Sequence, residues 1–323
     1  MIDSLVTLAA SNPAEHVANQ PYWTGDLFGM KNVWLWSAHV GNLVVSGLLT
    51  IIVLGYAASR IATGPASQGT DRYVTRGALA HMIEVIITYL RDTSIKPLLG
   101  ERTRTFMPFL MTIFFFILFN NLLGLAPITD ATHLVDHLMG GHIFTGLIGA
   151  TATQNIFVTA GLALIAAVVI NISGIMNLGL GEYLKHLTAG TPAYLWPLMV
   201  PIEIIGTIIK PVALAIRLFA NMTAGHILLA VLVMFAGMGL SMVREATVGG
   251  VVIGGGVAVV SAFAMVAVYF LEIFVAFLQA FVFMFLTAVF ISLLSHHDHS
   301  HDHEHEHDSA HGHGHEHAPA HAH

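Results

Sequence analysis

The chain has no cysteine among its 323 residues, which excludes disulfides, thiolate metal centres and a cysteine nucleophile. Charge is nearly as scarce, at 10% Asp, Glu, Lys and Arg, where a soluble domain carries about 25%. With 55% hydrophobic residues and a mean hydropathy of +0.75, water is not the main solvent of this protein. The formal charge of -7 does not describe its body, because six of the acids lie in residues 296–323 and the remainder is nearly neutral. Nothing in that balance points to nucleic acid. Residues 1–32 lack the basic start and short apolar core of a cleavable signal, so the first apolar run is expected to act as its own targeting signal.

What is there is a series of apolar runs. A crossing helix needs about 20 residues at a rise of about 1.5 Å each. The runs at 33–58, 106–126 and 156–176 meet that length. Residues 64–69 hold Gly64, Pro65, Ser67 and Gly69, a turn-rich break. The run at 78–90 is too short to cross, but Leu79, Met82, Ile83, Ile86, Ile87 and Leu90 recur at helical spacing between basic flanks, which predicts an amphipathic helix on the membrane surface. Two further runs, 193–237 and 249–294, are about 45 residues each. A straight helix of that length extends about 65 Å, twice the hydrocarbon thickness of about 30 Å. Neither run has a cluster of turn residues at its middle, so both are expected to be single helices, strongly tilted, the first bent at Pro201 and Pro211. The link at 238–248 makes them an antiparallel hairpin. The expected fold is therefore all-α, with five membrane-embedded helices, one surface helix, an outer segment at 1–32 and a disordered tail at 296–323.

Seven of the 12 Lys and Arg (Arg60, Arg72, Arg76, Arg91, Lys96, Arg102 and Arg104) fall in one stretch, whereas residues 128–155 contain none. The positive-inside rule then puts 59–105 in the cytoplasm, the N-terminus and the 128–155 loop outside, and the C-terminus in the cytoplasm. Arg244, in the outer link, is the exception.

Ionisable groups inside apolar helices cost at least about 2.5–3.5 kcal/mol each on insertion scales, so each needs a reason. The fourth run holds Glu203, Lys210, Arg217 and His226, and the fifth holds Glu272. Glu203, Lys210 and Arg217 are seven apart, with Asn221 four further on, and so lie on one stripe of the helix. His226 is turned to the other side. Glu272 and Gln279, also seven apart, share a face. Because the two helices run in opposite directions, placing His226 level with Glu272 also brings Arg217 level with Gln279. Arg is a permanent charge that does not carry protons by titration, whereas His and Glu exchange protons near neutral pH when burial and each other's charge tune them. An outer His/Glu pair leading to a fixed charge reads as a proton path that ends at a gate.

Other ionisable and polar groups have plainer readings. Lys210 is expected to snorkel, and Asn120 and Asn121 are expected to hold helices together. Gly249, Gly250 and Gly254 to Gly256 read as close helix packing, and without a following Lys-Ser/Thr they do not form a phosphate loop. The tail has 13 His in its 28 residues, a composition with weak affinity for divalent transition metals through side chains such as His296, His297, His299 and His301.

The segment Pro211-Val-Ala-Leu-Ala-Ile-Arg217-Leu-Phe-Ala-Asn221-Met-Thr-Ala-Gly-His226 resembles the Arg-Leu-x-x-Asn-x-x-x-Gly signature of subunit a of the F-type ATP synthases. The stretch from Glu272 through Gln279, the piece Asn120-Asn-Leu-Leu-Gly-Leu-Ala-Pro127, and the prolines beside Glu203 and Lys210 are similar to the same family, over roughly residues 30–295. The resemblance implies a non-catalytic, proton-translocating stator without a cofactor. It implies as partners a rotating ring of c subunits, each with one carboxylate, and subunit b or a peripheral stalk, in a bacterial plasma membrane or an equivalent bilayer. Arg217 would face the ring between two offset half-channels, His226 and Glu272 would line the outer one, Gln279 and Asn221 would assist near Arg217, and Glu203 would touch the inner one. Many bacterial members carry the Glu and His the other way round, which fits two residues working as a pair. Where family members often show Asp in a Thr-Ala-Asp context, this chain reads Thr151-Ala-Thr-Gln-Asn155, and the resemblance assigns no ion-path role there.

Two other classes compete with this reading. A structural anchor would use the polar stripes only to bind helices. A divalent metal transporter with a buffering tail needs His, Asp or Glu ligands converging on one ion, whereas Lys210 and Arg217 repel cations. On the ATP synthase reading, deleting residues 296–323 leaves zinc or nickel uptake by membranes carrying the protein unchanged. A drop in uptake on deletion favours the transporter.

Overall fold

The computed structural model describes residues 21–27, 30–60, 75, 77–126, 152–186, 193–245 and 247–293. Residues 1–20, the break at 64–69, the loop as far as residue 151 and the His-rich tail, each given a reading above, lie outside them.

The membrane part is all helical. It comprises α1 (Ala38–Ser59), α2 (Ala78–Leu90), α3 (Thr103–Leu125), α4 (Ile156–His186), α5 (Trp196–Arg244) and α6 (Val248–Leu293). Among the described residues five segments have the length and hydropathy to cross a membrane: His39–Ser59, Ala78–Leu125, which takes in α2 together with α3, Ile156–Met176, Trp196–Arg244 and Val248–Leu293. Ahead of α1 lies an antiparallel strand pair, β1 (Pro21–Leu27) with β2 (Met30–Ser37). The first crossing therefore starts at Ala38, five residues after the expected Val33. Its start is set by Ser37, whose side chain accepts from the Val40 N–H, the usual role of Ser at a helix N-cap.

The amphipathic α2 buries Ala80, Ile83 and Leu90 along one side and leaves Leu79, Met82, Val85 and Tyr89 exposed. After it the backbone widens into a π-turn at Arg91–Ile95 and a single helical turn at Lys96–Leu99, and Gly100 (φ 52°, ψ -126°) then breaks the path. That positive-φ conformation is cheap only for glycine, and it marks the break between α2 with its following turns and α3. Within α4, Gly179 (φ 75°) interrupts the helix three residues past the expected end of the third span at Met176.

The long hairpin α5/α6 is continuous. α5 absorbs Pro201 and Pro211 and runs to Arg244, beyond the expected 237, leaving only residues 245–247 as the link. At 49 residues it extends about 74 Å, so it can lie within a bilayer only when tilted or bent. The core joins α1, α2, α3, α4, α5 and the second half of α6, with Leu110, Phe114 and Ile117 packed among Leu214, Leu218, Phe283, Met284 and Ile291. Phe114 meets Phe277 edge to face at 5.5 Å. Ser292 donates to the Leu98 carbonyl at 2.7 Å, pinning the end of α6 beneath the segment that follows α2.

Near the link the helices approach backbone to backbone. A Cβ on Gly239 would lie 2.6 Å from the Gly254 carbonyl oxygen and 2.7 Å from the Ala258 nitrogen, and one on Gly250 would lie 2.6 Å from the Met242 carbonyl oxygen. Gly249 and Gly256, grouped with them on sequence, meet nothing within 4 Å. Only part of the glycine run is thus close packing. The two kinds of glycine predict opposite signs. Gly256→Ala gains up to about 1 kcal/mol of helix propensity, whereas Gly239→Ala overpacks the hairpin at a cost of about 1–3 kcal/mol. Thermal melting of the purified protein in detergent reads both shifts.

Candidate functional site

The register of the hairpin decides which side chains meet. Gly239 lies against Gly254 and Ala258, Gly225 against Glu272, and Lys210 against Phe290. From the Gly239–Ala258 contact to the Gly225–Glu272 contact each helix advances fourteen residues, so the pairing does not slip. Half-buried His226 follows Gly225 directly and stands at the level of Glu272. One step deeper, Arg217 and Gln279 line the same groove. Gly225 beside Glu272 and the groove shared by Arg217 and Gln279 thus lie at successive positions along the hairpin.

Beside Gly225, Glu272 is 6% exposed, and neither of its carboxyl oxygens has a hydrogen-bond partner among the described residues. It sits so close to Gly225 that a Cβ there would collide with it. A side chain at position 225 would displace the carboxyl from the place it now occupies.

At the deeper level an open groove of about 550 Å³ is lined by Arg217, Ala220, Asn221 and Ala224 of α5 and by Leu278, Gln279 and Val282 of α6. Leu214 and Leu218 point from α5 into the core, whereas Arg217 between them is exposed. Among the described residues Arg217 forms no ion pair or hydrogen bond. Gln279 is 3% exposed and its amide nitrogen has no partner there. Ala220 and Ala224 make the α5 side of the groove shallow, which leaves room for a neighbouring helix to approach the guanidinium.

The remaining stripe residues separate from this pair. The Lys210 ammonium stands 5.6 Å from the centre of the Phe290 ring, a cation–π contact that gives it a packing role. Glu203 is half-buried a further two turns away, and its backbone carbonyl accepts from the Thr207 hydroxyl at 3.0 Å. It is not brought to the groove. Among the described residues no three His, Asp or Glu side chains converge as a metal site.

One group of residues was not singled out on sequence. His39, Asn42, Ser46 and Thr50 are all buried along one side of α1, at spacings of three and four that put them on one helical face. The Asn42 amide donates to Asn120 Oδ1 at 3.1 Å, and the Thr153 hydroxyl donates to Asn121 Oδ1 at 2.8 Å. Asn120 and Asn121 therefore do bond across elements, as expected. The buried partners on α1 and in the Ala152–Gln154 turn are new. The readable signal was four polar residues at helical spacing in an otherwise apolar run.

The sequence profile of the ATP synthase A chain family matches residues 43–292. The chain is 41% identical over 230 residues to ATP synthase subunit a of Myxococcus xanthus, covering 70% of this chain and 65% of that protein. It is 36% identical over 260 residues to ATP synthase subunit a of Chlorobium phaeobacteroides strain BS1, covering 80% and 66%, and 38% identical over 259 residues to ATP synthase subunit a 2 of Chlorobaculum tepidum, covering 80% and 63%. It thus spans slightly less than two thirds of the length of these relatives. The match runs from the first crossing almost to the end of the last and includes both levels of the hairpin site, and the chain belongs to the ATP synthase A chain family.

Proposed function

We propose that this chain is the proton-translocating stator subunit of the membrane sector of an F-type ATP synthase, a multi-pass protein of a bacterial plasma membrane. The observation that carries the reading is Arg217, a permanent cation on an apolar helix, unpaired among the described residues and exposed at a groove with small residues beside it. A guanidinium held this way within hydrocarbon is costly. It is retained where an anion from outside the chain meets it.

On this reading the anion is a carboxylate on each hairpin of a rotating c-ring. A unit-charge pair at about 4 Å is worth about 4 kcal/mol at an effective dielectric near 20. That suffices to draw the carboxylate into its ionised form opposite Arg217 without trapping the ring. His226 and Glu272 deliver protons from the outer side and Glu203 lines the inner half-channel, while Gln279 and Asn221 flank the guanidinium and help orient the arriving carboxylate. Because Arg217 stays charged, it bars protons from passing straight between the half-channels, and transport is coupled to rotation. The chain itself does no chemistry on ATP. The length and small own-chain burial of α5 support a rotor-facing role, since only 11% of its most apolar window is buried within the chain, against 39% for α6.

Two substitutions test the reading in inverted membrane vesicles. Arg217→Ala abolishes ATP-driven proton pumping while the complex still assembles, whereas intact pumping would favour the anchor. Gly225→Ala displaces the Glu272 carboxyl and lowers the pumping rate about tenfold or more, an effect equivalent to about 1.4 kcal/mol, with assembly unchanged. Normal pumping by this variant removes Glu272 from the path.

A further inference from the structure

We propose that the His-rich segment 296–323 is a metal site, a chelating appendage that holds about two divalent ions of the zinc and nickel class beside the basic segment and apart from the proton path. It lies beyond the family match, which ends at residue 292, so family membership does not account for it.

The spacing of the histidines carries the proposal. From 297 to 307 every odd position is His, and 311, 313, 315 and 317 repeat the alternation. The even positions from 298 to 308 hold only Asp, Glu and Ser. Twelve of the 13 histidines stand at odd positions, an order that a merely polar tail does not need. Residues two apart point to the same side of an extended chain, about 6.6 Å from each other, and residues four apart share a face of a helix. A period of two meets both conditions, so either backbone offers pairs of imidazoles on one side.

Ligand chemistry selects the ion. Neutral imidazole suits zinc, nickel and copper, and the lack of cysteine removes the thiolates that softer sites use. A single imidazole holds such an ion weakly, but once one is engaged the next binds as an intramolecular ligand at high effective concentration. A tetrahedral zinc takes four ligands, so the ten histidines of 297–317 serve about two ions. Six acids, with no Lys or Arg among them, offset the positive charge that those ions bring.

The fold fixes where the segment starts. Ser292, bonded to the Leu98 carbonyl at 2.7 Å, roots it next to the basic segment, where Lys96 and Arg104 are exposed. Those cations repel a free dication, and the interleaved acids counter them. Among the described residues no three His, Asp or Glu side chains converge on a metal position, so an ion held by the segment has no onward site there. The appendage binds the ion and does not transport it.

The purified full chain in detergent is stripped with EDTA, loaded with zinc in the presence of excess magnesium, passed through gel filtration and assayed for bound metal by plasma mass spectrometry. The wild-type chain should retain about two zinc ions. Changing every histidine of 297–317, from His297→Gln through His317→Gln, keeps the six acids and should lower retention at least about tenfold. Deleting residues 296–323 should do the same. Wild-type retention by the glutamine variant assigns the metal to the carboxylates and overturns the proposal. So does wild-type retention by the truncated chain, which places the metal in the folded part, or retention of less than about one ion by the wild-type chain itself. Because the metal is counted on the isolated chain, no outcome depends on proton pumping, and the Arg217→Ala test decides the stator reading separately.

Discussion

The proposed mechanism depends on keeping one guanidinium in apolar surroundings with no acid paired to it among the described residues. Arg217 sits between Leu214 and Leu218, which anchor that turn of α5 in the core, so its side chain is held at the outer surface of the hairpin. An acid within reach would neutralise it permanently. The nearest acid before it in α5 is Glu203, two turns beyond Lys210 and away from the groove. On the proposed function, the cost of a charge unpaired among the described residues is carried by the packing of the rest of the subunit and relieved by a carboxylate from outside the chain.

Hairpin register turns that charge into a device. The glycine contacts at Gly239, Gly250 and Gly254 fix how far α5 and α6 slide past each other, and everything deeper inherits that setting. Gly225 receives the Glu272 carboxyl, Arg217 shares its groove with Gln279, and Lys210 lies over Phe290. A slip of one residue would turn each of these side chains by about 100° around its helix and break every level at once. Ser292 on the Leu98 carbonyl ties the far end of α6 to the segment after α2, and Phe277, between Glu272 and Gln279, packs on Phe114 of α3, so α6 is held both at the site and beyond it.

Much of this was legible in the sequence, for identifiable reasons. Hydropathy and length give the crossings because a bilayer imposes a fixed thickness, and antiparallel direction, once His226 is set level with Glu272, brings Arg217 level with Gln279. The length of β2 was hidden because the apolar residues from Val33 read as the start of a span, although Ser37 marked the helix start. The α1 stripe was hidden because Asn42, Ser46 and Thr50 barely alter the hydropathy of their run; Asn42 finds its partner in Asn120, 78 residues away, whereas the Ser46 and Thr50 hydroxyls donate to carbonyls four residues back in the same helix. Gly225 looked like one more signature glycine, since its constraint comes from a carboxyl on another helix.

The account is tested most directly by the distance from the Arg217 guanidinium to the nearest carboxylate in a cryo-EM map of the assembled membrane sector. It predicts a carboxylate from a neighbouring chain facing Arg217 across the groove beside Ala220 and Ala224, reaching about 4 Å or less in at least one rotational state. An Arg217 that faces lipid headgroups in every state, or that is paired with an acid of its own chain, would contradict it.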